Sequence, residues 1–406
     1  MDNKIKPTIL VIVGVTGDLA KRKLLPAIAA IRDAGVLPSQ FKVIGTSRKA
    51  LPESDAFESF IMDTEDPEDY LELKTHLESI EQEFAKNTQE PAQKLFYLSV
   101  PADAAATLIE NFGTSGINAM PNVKLLMEKP FGRDLVSAGK LVSQIQKYFT
   151  EEQVYRIDHY LAKEMAQNIV IFRSHNTLFK NTWNKDFIES IDILASEKIG
   201  IEGRAGFYEQ TGALRDLVQS HLLQLAALTL MDVTPPLPSP KGRVLDIPTQ
   251  RLQALQQIEI PQDITRDVVR GQYVGYRDEV KNAVKNIDSM TETFVSMKLF
   301  YKDPNWAGVP ITITTGKALD KKRTEIRIKF KKDNEIVTIA EQASEATNAY
   351  ERVFIDAMKS DHSLFVTKEE VLATWRILEP IQKVWEAGET ELKMYATGSR
   401  VEDILK

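Results

Sequence analysis

"ILVIVGVTGDLAKRKLLPAIAAIRDAG", residues 9–35, sets an apolar run, a glycine turn and a helix-like stretch end to end. The run Ile9–Val13 carries no polar residue, as in a strand buried on both faces. "GVTGDLAK" (14–21) follows it. Gly14 and Gly17 allow a tight turn and a close approach of backbone to phosphate, and the next helix offers free N–H groups and a positive dipole end. The pattern is G-x-x-G-D-L-A rather than the usual G-x-G-x-x-G, so its weight comes from its surroundings. Three more apolar runs, Phe41–Ile44, Leu95–Val100 and Val123–Met127, alternate with helix-like stretches such as "PADAAATLIENFG" (101–113). Short apolar strands alternating with helices predict a parallel sheet with both faces covered, which binds ligands beyond the C-terminal ends of its strands.

The residues expected at those ends carry chemistry. The second run leads into "GTSRK" (45–49), where NAD-specific sheets commonly place an acid to hold the ribose 2′-hydroxyl. Ser47, Arg48 and Lys49 stand there instead, and a guanidinium fork suits a phosphate. With Thr16 in the glycine turn, this favours NADP over NAD; the competing reading is a solvated basic turn. The fourth run ends in "MEKPFGRDL" (127–135), where Lys129–Pro130 is a candidate cis peptide that would aim Lys129 over the same crevice.

Composition bounds the rest. The chain has 406 residues, 43% hydrophobic and 27% charged, enough apolar material for two domains without staples. It has no cysteine, which excludes a thiol nucleophile and cysteine-ligated zinc and fits a reducing compartment. A formal net charge of −7 weighs against nucleic-acid binding. No stretch approaches the ~20 apolar residues of a membrane span. A cytoplasmic protein is expected.

From about residue 156 the pattern changes. Helices are expected over 158–175 and 212–232, followed by strand-like runs at 189–197, 293–301, 309–316, 324–330 and 334–340. Helices plus long alternating strands predict an α+β domain built on one large, mainly antiparallel sheet. "RIDHYLAKE" (156–164) places His159 and Lys163 four apart, on one face of the expected helix, where two cations repel by a few tenths of a kcal/mol. An anion bound between them would offset that cost. His221 falls on the inward face of the second expected helix, beside Leu217, Val218, Gln224 and Leu225. It is either a core histidine with a satisfied nitrogen or a buried general base, oriented by Asp158 or Asp216. "TGKALDKKRTE" (315–325) carries Lys317, Lys321, Lys322 and Arg323, either a solvated hairpin loop or the far side of a phosphate pocket.

Taken together, "GVTGDLAKRKLLPA", "GTSRKAL", "EKPFGRDL", "RIDHYLAKE", "EGRAGFYEQTGALRDLVQSHLLQ", "RGQYVGY", "WAGVPITITTGKAL" and "YERVFIDAM…LFVTKEEVLATWRIL" resemble the glucose-6-phosphate dehydrogenase family, in family order across nearly the whole chain. The resemblance implies a Rossmann-like α/β NADP-binding domain over 1–155 and an α+β substrate domain over 156–406. It implies oxidation of β-D-glucose 6-phosphate to 6-phosphoglucono-1,5-lactone with reduction of NADP, NAD being a weaker substitute and no metal being needed, within the oxidative pentose phosphate pathway. By position, His221 matches the general base and Asp158 its orienting partner. His159, Tyr160 and Lys163 match the phosphate-binding cluster, with Lys317 and Lys322 as further substrate-side cations. Glu197 and Asp216 match the carboxylates that hold sugar hydroxyls. Lys129 falls between nicotinamide and sugar. Gly14, Thr16, Gly17, Asp18, Leu19 and Arg48 match the coenzyme turn and 2′-phosphate site.

The chain also departs from the family pattern. Ala162 stands where a glycine is usual, and the tract from Phe330 to Tyr350 is much shorter than usual. Family members dimerise through the large sheet, so the short tract leaves a homodimer open. A substrate-contacting glutamine of that tract has Glu341 or Gln342 as its candidate counterpart. Thr314 replaces an arginine of a second, structural NADP site, and the ending "MYATGSRVEDILK" lacks the usual "GSWGP", so no structural NADP is expected. Two rival readings remain: an NADP-dependent dehydrogenase of another sugar phosphate, and a catalytically silent NADP-binding regulator. The latter should have lost His221, Asp158 or Lys163, and all three are present.

Overall fold

Strand β1 (Thr8–Val13) is buried along its whole length, as the apolar run Ile9–Val13 requires. The computed structural model describes residues 5–101, 104–175, 181–233, 245–286, 288–341 and 348–406. Two compact units emerge: Met1–Gly132 with Val136–Lys163 and Ser344–Lys368, and Arg133–Leu135 with Glu164–Ala343 and Glu369–Lys406. A division at 155/156 therefore differs in two ways. The first unit runs on to Lys163, and it takes back a late segment, 344–368. Strand pairing explains both, because residues on each side of 155/156 share one strand and a two-residue strand, Phe365–Val366, pairs with it.

The first unit holds a seven-stranded sheet. Beside β1 it contains β2 (Phe41–Ser47), β3 (Glu58–Ile61), β4 (Gln93–Leu98), β5 (Val123–Met127) and β6 (Val154–Ile157), in the order Phe365–Val366, β6, β5, β4, β1, β2, β3. All pairings are parallel except that of β6 with Phe365–Val366. From β1 the chain moves outward to β2 and β3, then crosses to β4 on the other side. The strand order reverses between β1 and β4, the place where doubly wound sheets bind ligands. Helix Asn348–Lys359 lays Ala349, Val353, Phe354, Ala357 and Met358 into the core, an i, i+4, i+5, i+8, i+9 stripe. Lys124 of β5 fastens that helix, donating from Nζ to the Ala357 carbonyl and to Ser360 Oγ at 2.8 Å.

The second unit holds the other sheet: β7 (Ile188–Ser196), β8 (Ile258–Glu259), β9 (Val268–Tyr273), β10 (Phe294–Tyr301), β11 (Ile311–Gly316), β12 (Arg323–Phe330), β13 (Ile336–Ala340) and a last strand, Leu392–Tyr395. The order is β13, β12, β7, β11, β10, β9, Leu392–Tyr395, with β8 paired to β10 off this path. Pairings are antiparallel except β7 with β11 and β9 with Leu392–Tyr395. β12 alternates strictly, burying Thr324, Ile326, Ile328 and Phe330. Among the described residues no helix is long and apolar enough to cross a membrane. Gln342 lies outside the described residues.

Two expected helices differ from their expected bounds, and both bear on the site. The first starts at Glu164, not 158. Residues 159–162 form a turn instead, because Asp158 Oδ1 accepts from the Tyr160 N–H at 2.9 Å and the Asp158 carbonyl accepts from the Leu161 N–H at 3.0 Å. The second is three pieces: helix Ala205–Ala213, a π-helical segment Leu214–Leu222, and helix Leu223–Leu230. The break falls at Gly212, with φ 64° and ψ 176°, a conformation that favours glycine.

Candidate active site

The glycine turn sits on the switch point of the first sheet. Gly14 has φ 85°, and a Cβ there would lie 2.7 Å from the Ser99 carbonyl oxygen at the end of β4. The Gly17 N–H closes the turn onto the Gly14 carbonyl at 3.0 Å, and helical structure begins at Asp18. Thr16 and Asp18 are exposed, and Asp18 pairs with Arg22 at 2.7 Å. Arg48 is exposed one residue past β2, at the same sheet end, since Val13 and Thr46 are register partners. Gly45, Thr46 and Ser47 belong to β2 itself, so of "GTSRK" only Arg48 and Lys49 lie beyond the strand.

Beside this turn lies a cavity of about 390 Å³, lined by Gly17, Asp18, Leu19, the Leu98–Pro101 strand end, Glu128, Lys129, His159 and Tyr350. It brings together five of the expected site residues: Gly17, Asp18, Leu19, Lys129 and His159. The Lys129–Pro130 bond is cis, as expected. Ser99 Oγ is buried here with no hydrogen-bond partner among the described residues. A cradle that leaves no room for a Cβ, and an orphaned hydroxyl at the strand-order reversal, fit a dinucleotide.

Sequence reasoning missed the cavity's floor. Glu128 is half-buried: the Tyr97 hydroxyl donates to its Oε1, and Tyr350 lines the same cavity. Burial pushes its pKa up to about 7, although the Tyr97 hydrogen bond and Lys129 pull the other way. Glu128 opens the quoted stretch "EKPFGRDL" at the end of an apolar run, but its sequence position gives it no role of its own. Tyr350 opens the quoted stretch "YERVFIDAM", but nothing local places it beside Glu128, which it reaches from the late segment.

The Asp158–Lys163 turn ends the first unit's second segment. Asp158 is 3% exposed and continues directly from the C-terminal end of β6. Tyr160 is buried, its ring 5.1 Å from that of His159, and Lys163 Nζ sits 3.6 Å from the Tyr160 ring centroid. The helical i, i+4 repulsion of His159 and Lys163 does not arise, since the turn precedes the helix. A cation–π contact takes part of the ammonium's charge.

The remaining expected residues belong to the second unit. His221 is 1% exposed and Asp216 9% exposed, both on the π segment, where the Ser220 hydroxyl donates to the Asp216 carbonyl at 3.1 Å. Lys317 is buried and forms an ion pair with Glu197, its Nζ 5.1 Å from the Tyr208 ring centroid. These two expected substrate contacts therefore hold each other. Lys322 is exposed in the turn joining β11 and β12. Thr314 is buried in β11, its hydroxyl 2.9 Å from Ser296 Oγ.

A glycine-turn cleft at the reversal of a parallel sheet, followed by a unit built on a largely antiparallel sheet, points to the class of nicotinamide-dependent oxidoreductases. The particular family follows from comparison. The model described as "Glucose-6-phosphate dehydrogenase, NAD binding domain" matches residues 11–64 and 54–168, and "Glucose-6-phosphate dehydrogenase, C-terminal domain" matches 170–346 and 334–403. Glucose-6-phosphate 1-dehydrogenase of Chlamydia muridarum is 32% identical, covering 97% of this chain and 93% of the relative; that of Bacillus subtilis is 31% identical, covering 98% and 95%. A solved glucose-6-phosphate dehydrogenase in complex with its substrate glucose-6-phosphate aligns with TM-score 0.85 at 27% identity, covering 98% of this chain and 97% of that one. The chain belongs to the glucose-6-phosphate dehydrogenase family. The Chlamydia alignment runs over 490 residues against 406 in this chain, and the C-terminal family model matches in two segments that meet at 334–346, within the tract read as short.

Proposed function

We propose that the protein oxidises β-D-glucose 6-phosphate at C1 to 6-phosphoglucono-1,5-lactone, with hydride transfer to NADP. The observation that carries this reading is the first unit's sheet end, where Lys129 and His159 line one cavity with the glycine turn. His159, Tyr160 and Lys163, held by the turn after β6, bind the sugar's phosphate. His221 takes the C1 hydroxyl proton, and Asp158 orients its imidazole. Asp216 holds sugar hydroxyls; Glu197 and Lys317 do so as a pair, and Lys322 adds positive potential. Bound NADP supplies the hydride acceptor. As the C1–H electron pair leaves, the proton on O1 passes to His221 and C1–O1 becomes the lactone carbonyl. Gly14, Thr16, Gly17, Asp18 and Leu19 cradle the pyrophosphate, and Arg48 recognises the 2′-phosphate.

The direct test is a spectrophotometric assay with glucose 6-phosphate, glucose and other hexose phosphates against each nicotinamide coenzyme. Reduction of NADP by glucose 6-phosphate far above that by glucose is expected. Equal turnover of unphosphorylated glucose removes the phosphate site, and preference for another hexose phosphate replaces the substrate.

Two substitutions test single roles. Lys163→Ala raises the KM for glucose 6-phosphate by about 10- to 100-fold, the worth of a hydrogen bond to a charged group, and leaves KM for NADP nearly unchanged. An unaltered sugar-phosphate KM contradicts the role. Arg48→Ala narrows the ratio of kcat/KM for NADP over NAD by about tenfold or more, since a charge-assisted contact to phosphate is lost. An unaltered ratio moves 2′-phosphate recognition elsewhere.

A further inference from the structure

His221 and Asp216 ride on a π-helical segment, a rare geometry whose side chains do not follow the ordinary 3.6-residue period. Something must fix where that segment begins. At the break before it, two successive N–H groups, those of Ala213 and Leu214, have lost the preceding helix. One residue takes both. The Glu292 carbonyl accepts from Ala213 at 2.9 Å, and Glu292 Oε1 accepts from Leu214 at 2.9 Å.

The clamp is closely built. Glu292 is 5% exposed, just before β10. A Cβ on Gly212 would lie 2.4 Å from Oε1 and 2.8 Å from Oε2, so only glycine lets the carboxyl come so near. Both neighbours of Glu292 are anchored. The Thr291 hydroxyl donates to the Glu209 carbonyl at 3.0 Å, and the Thr293 N–H donates to the Gly271 carbonyl of β9 at 2.8 Å. Glu292 is thus pinned between the helix before the break and the sheet, with one polar arm reaching the segment's start.

We infer that Glu292 is a positioning residue of the reaction: by clamping Leu214 it sets the register of the π segment and so the aim of His221 and Asp216. This rests on the reading of His221 as the base. Burial raises the Glu292 carboxyl above the ordinary carboxylate range, while the Leu214 N–H, Arg215 and Arg270 oppose that shift. The Leu214 N–H asks only for an acceptor oxygen at that point, so an amide oxygen in the same place serves the clamp as well.

The experiment combines substitutions with steady-state kinetics on the full chain. Glu292→Ala is expected to lower kcat by about 10- to 100-fold, as for a misaimed catalytic group, with KM for NADP within about twofold. Glu292→Gln keeps the acceptor oxygen and is expected to retain kcat within about threefold of the unsubstituted protein. In a His221→Asn background Glu292→Ala is expected to cost less than about threefold, because a residue acting through His221 has little left to misplace. A merely structural role would lower the folded fraction equally in both backgrounds. Where Glu292→Ala does not fold, Glu292→Asp, one methylene too short to reach Leu214, is measured in its place. The inference is overturned if the alanine or aspartate variant keeps full kcat, if its factor is the same in both backgrounds, or if the glutamine variant falls as far. If His221→Asn itself keeps full activity, the base assignment fails instead, and the two failures are told apart by that one variant.

Discussion

Replacing His221 with asparagine lowers kcat for glucose 6-phosphate by about 10²–10⁴-fold, the usual contribution of a positioned general base, and leaves KM for the sugar phosphate within about threefold. Asparagine keeps a polar group of similar reach but cannot take a proton at neutral pH. The hydride must then leave C1 while O1 stays protonated, which puts positive charge on the sugar in the transition state. Binding is expected to be largely spared because the residues proposed to hold the phosphate, His159, Tyr160 and Lys163, belong to the 158–163 turn and not to the π segment. His221 is 1% exposed, so the alternative is a packing histidine, and the two readings part on one number. A rate within threefold of the unsubstituted protein, with a lowered melting temperature, would make it a core residue.

The site was legible where its chemistry is local. The glycine turn, the end of β5 and the cis Lys129–Pro130 bond are each written in fewer than ten residues, and β5 spans Val123–Met127 as read from the sequence. The helix over 158–175 was misplaced because the apolar period from Leu161 onward extends one turn too far back. The Asp158 carboxylate, capturing the Tyr160 N–H, outcompetes helical pairing there. The π segment is also invisible to a 3.6-residue period, since its only mark is Gly212, and a glycine inside a helical pattern has several meanings. Three partnerships joined residues too distant in sequence to be inferred: Tyr350 with Glu128, Glu197 with Lys317, and Glu292 with Leu214. The Glu197–Lys317 pair also shows why charge counting misleads. Lys317 reads as a free cation in a basic loop, yet burial requires a carboxylate beside it.

The largest stability effect is expected at Arg251, away from the chemistry. Its Nε and Nη2 bond both Glu370 oxygens, at 2.8 and 3.2 Å, and neither residue has more than 1% of its side chain exposed. This pair joins helix Ile247–Gln257 to helix Lys368–Glu386. Arg251→Ala leaves a carboxylate buried and short of its main cation, a loss of about 3–5 kcal/mol. Against a total of about 5–15 kcal/mol for a typical domain, that removes a large share. For a unit of this size it lowers the melting temperature by about 6–20 °C. Replacing both partners, Arg251→Met with Glu370→Leu, removes the uncompensated charge and is expected to recover more than half of the loss. The same helix presents Thr374, one turn from Glu370, whose hydroxyl accepts from Gln219 Nε2 of the π segment at 2.9 Å. Loosening it could therefore reach His221. Since Glu292 holds that segment from its other end, kcat at 25 °C is expected to stay within about threefold while heat tolerance collapses. Calorimetry alongside a 25 °C assay reads both. A melting temperature within 2 °C of the unsubstituted protein would show that solvent, not Arg251, compensates Glu370; a kcat loss beyond tenfold would show that the π segment depends on the Thr374 contact more than on the Glu292 clamp.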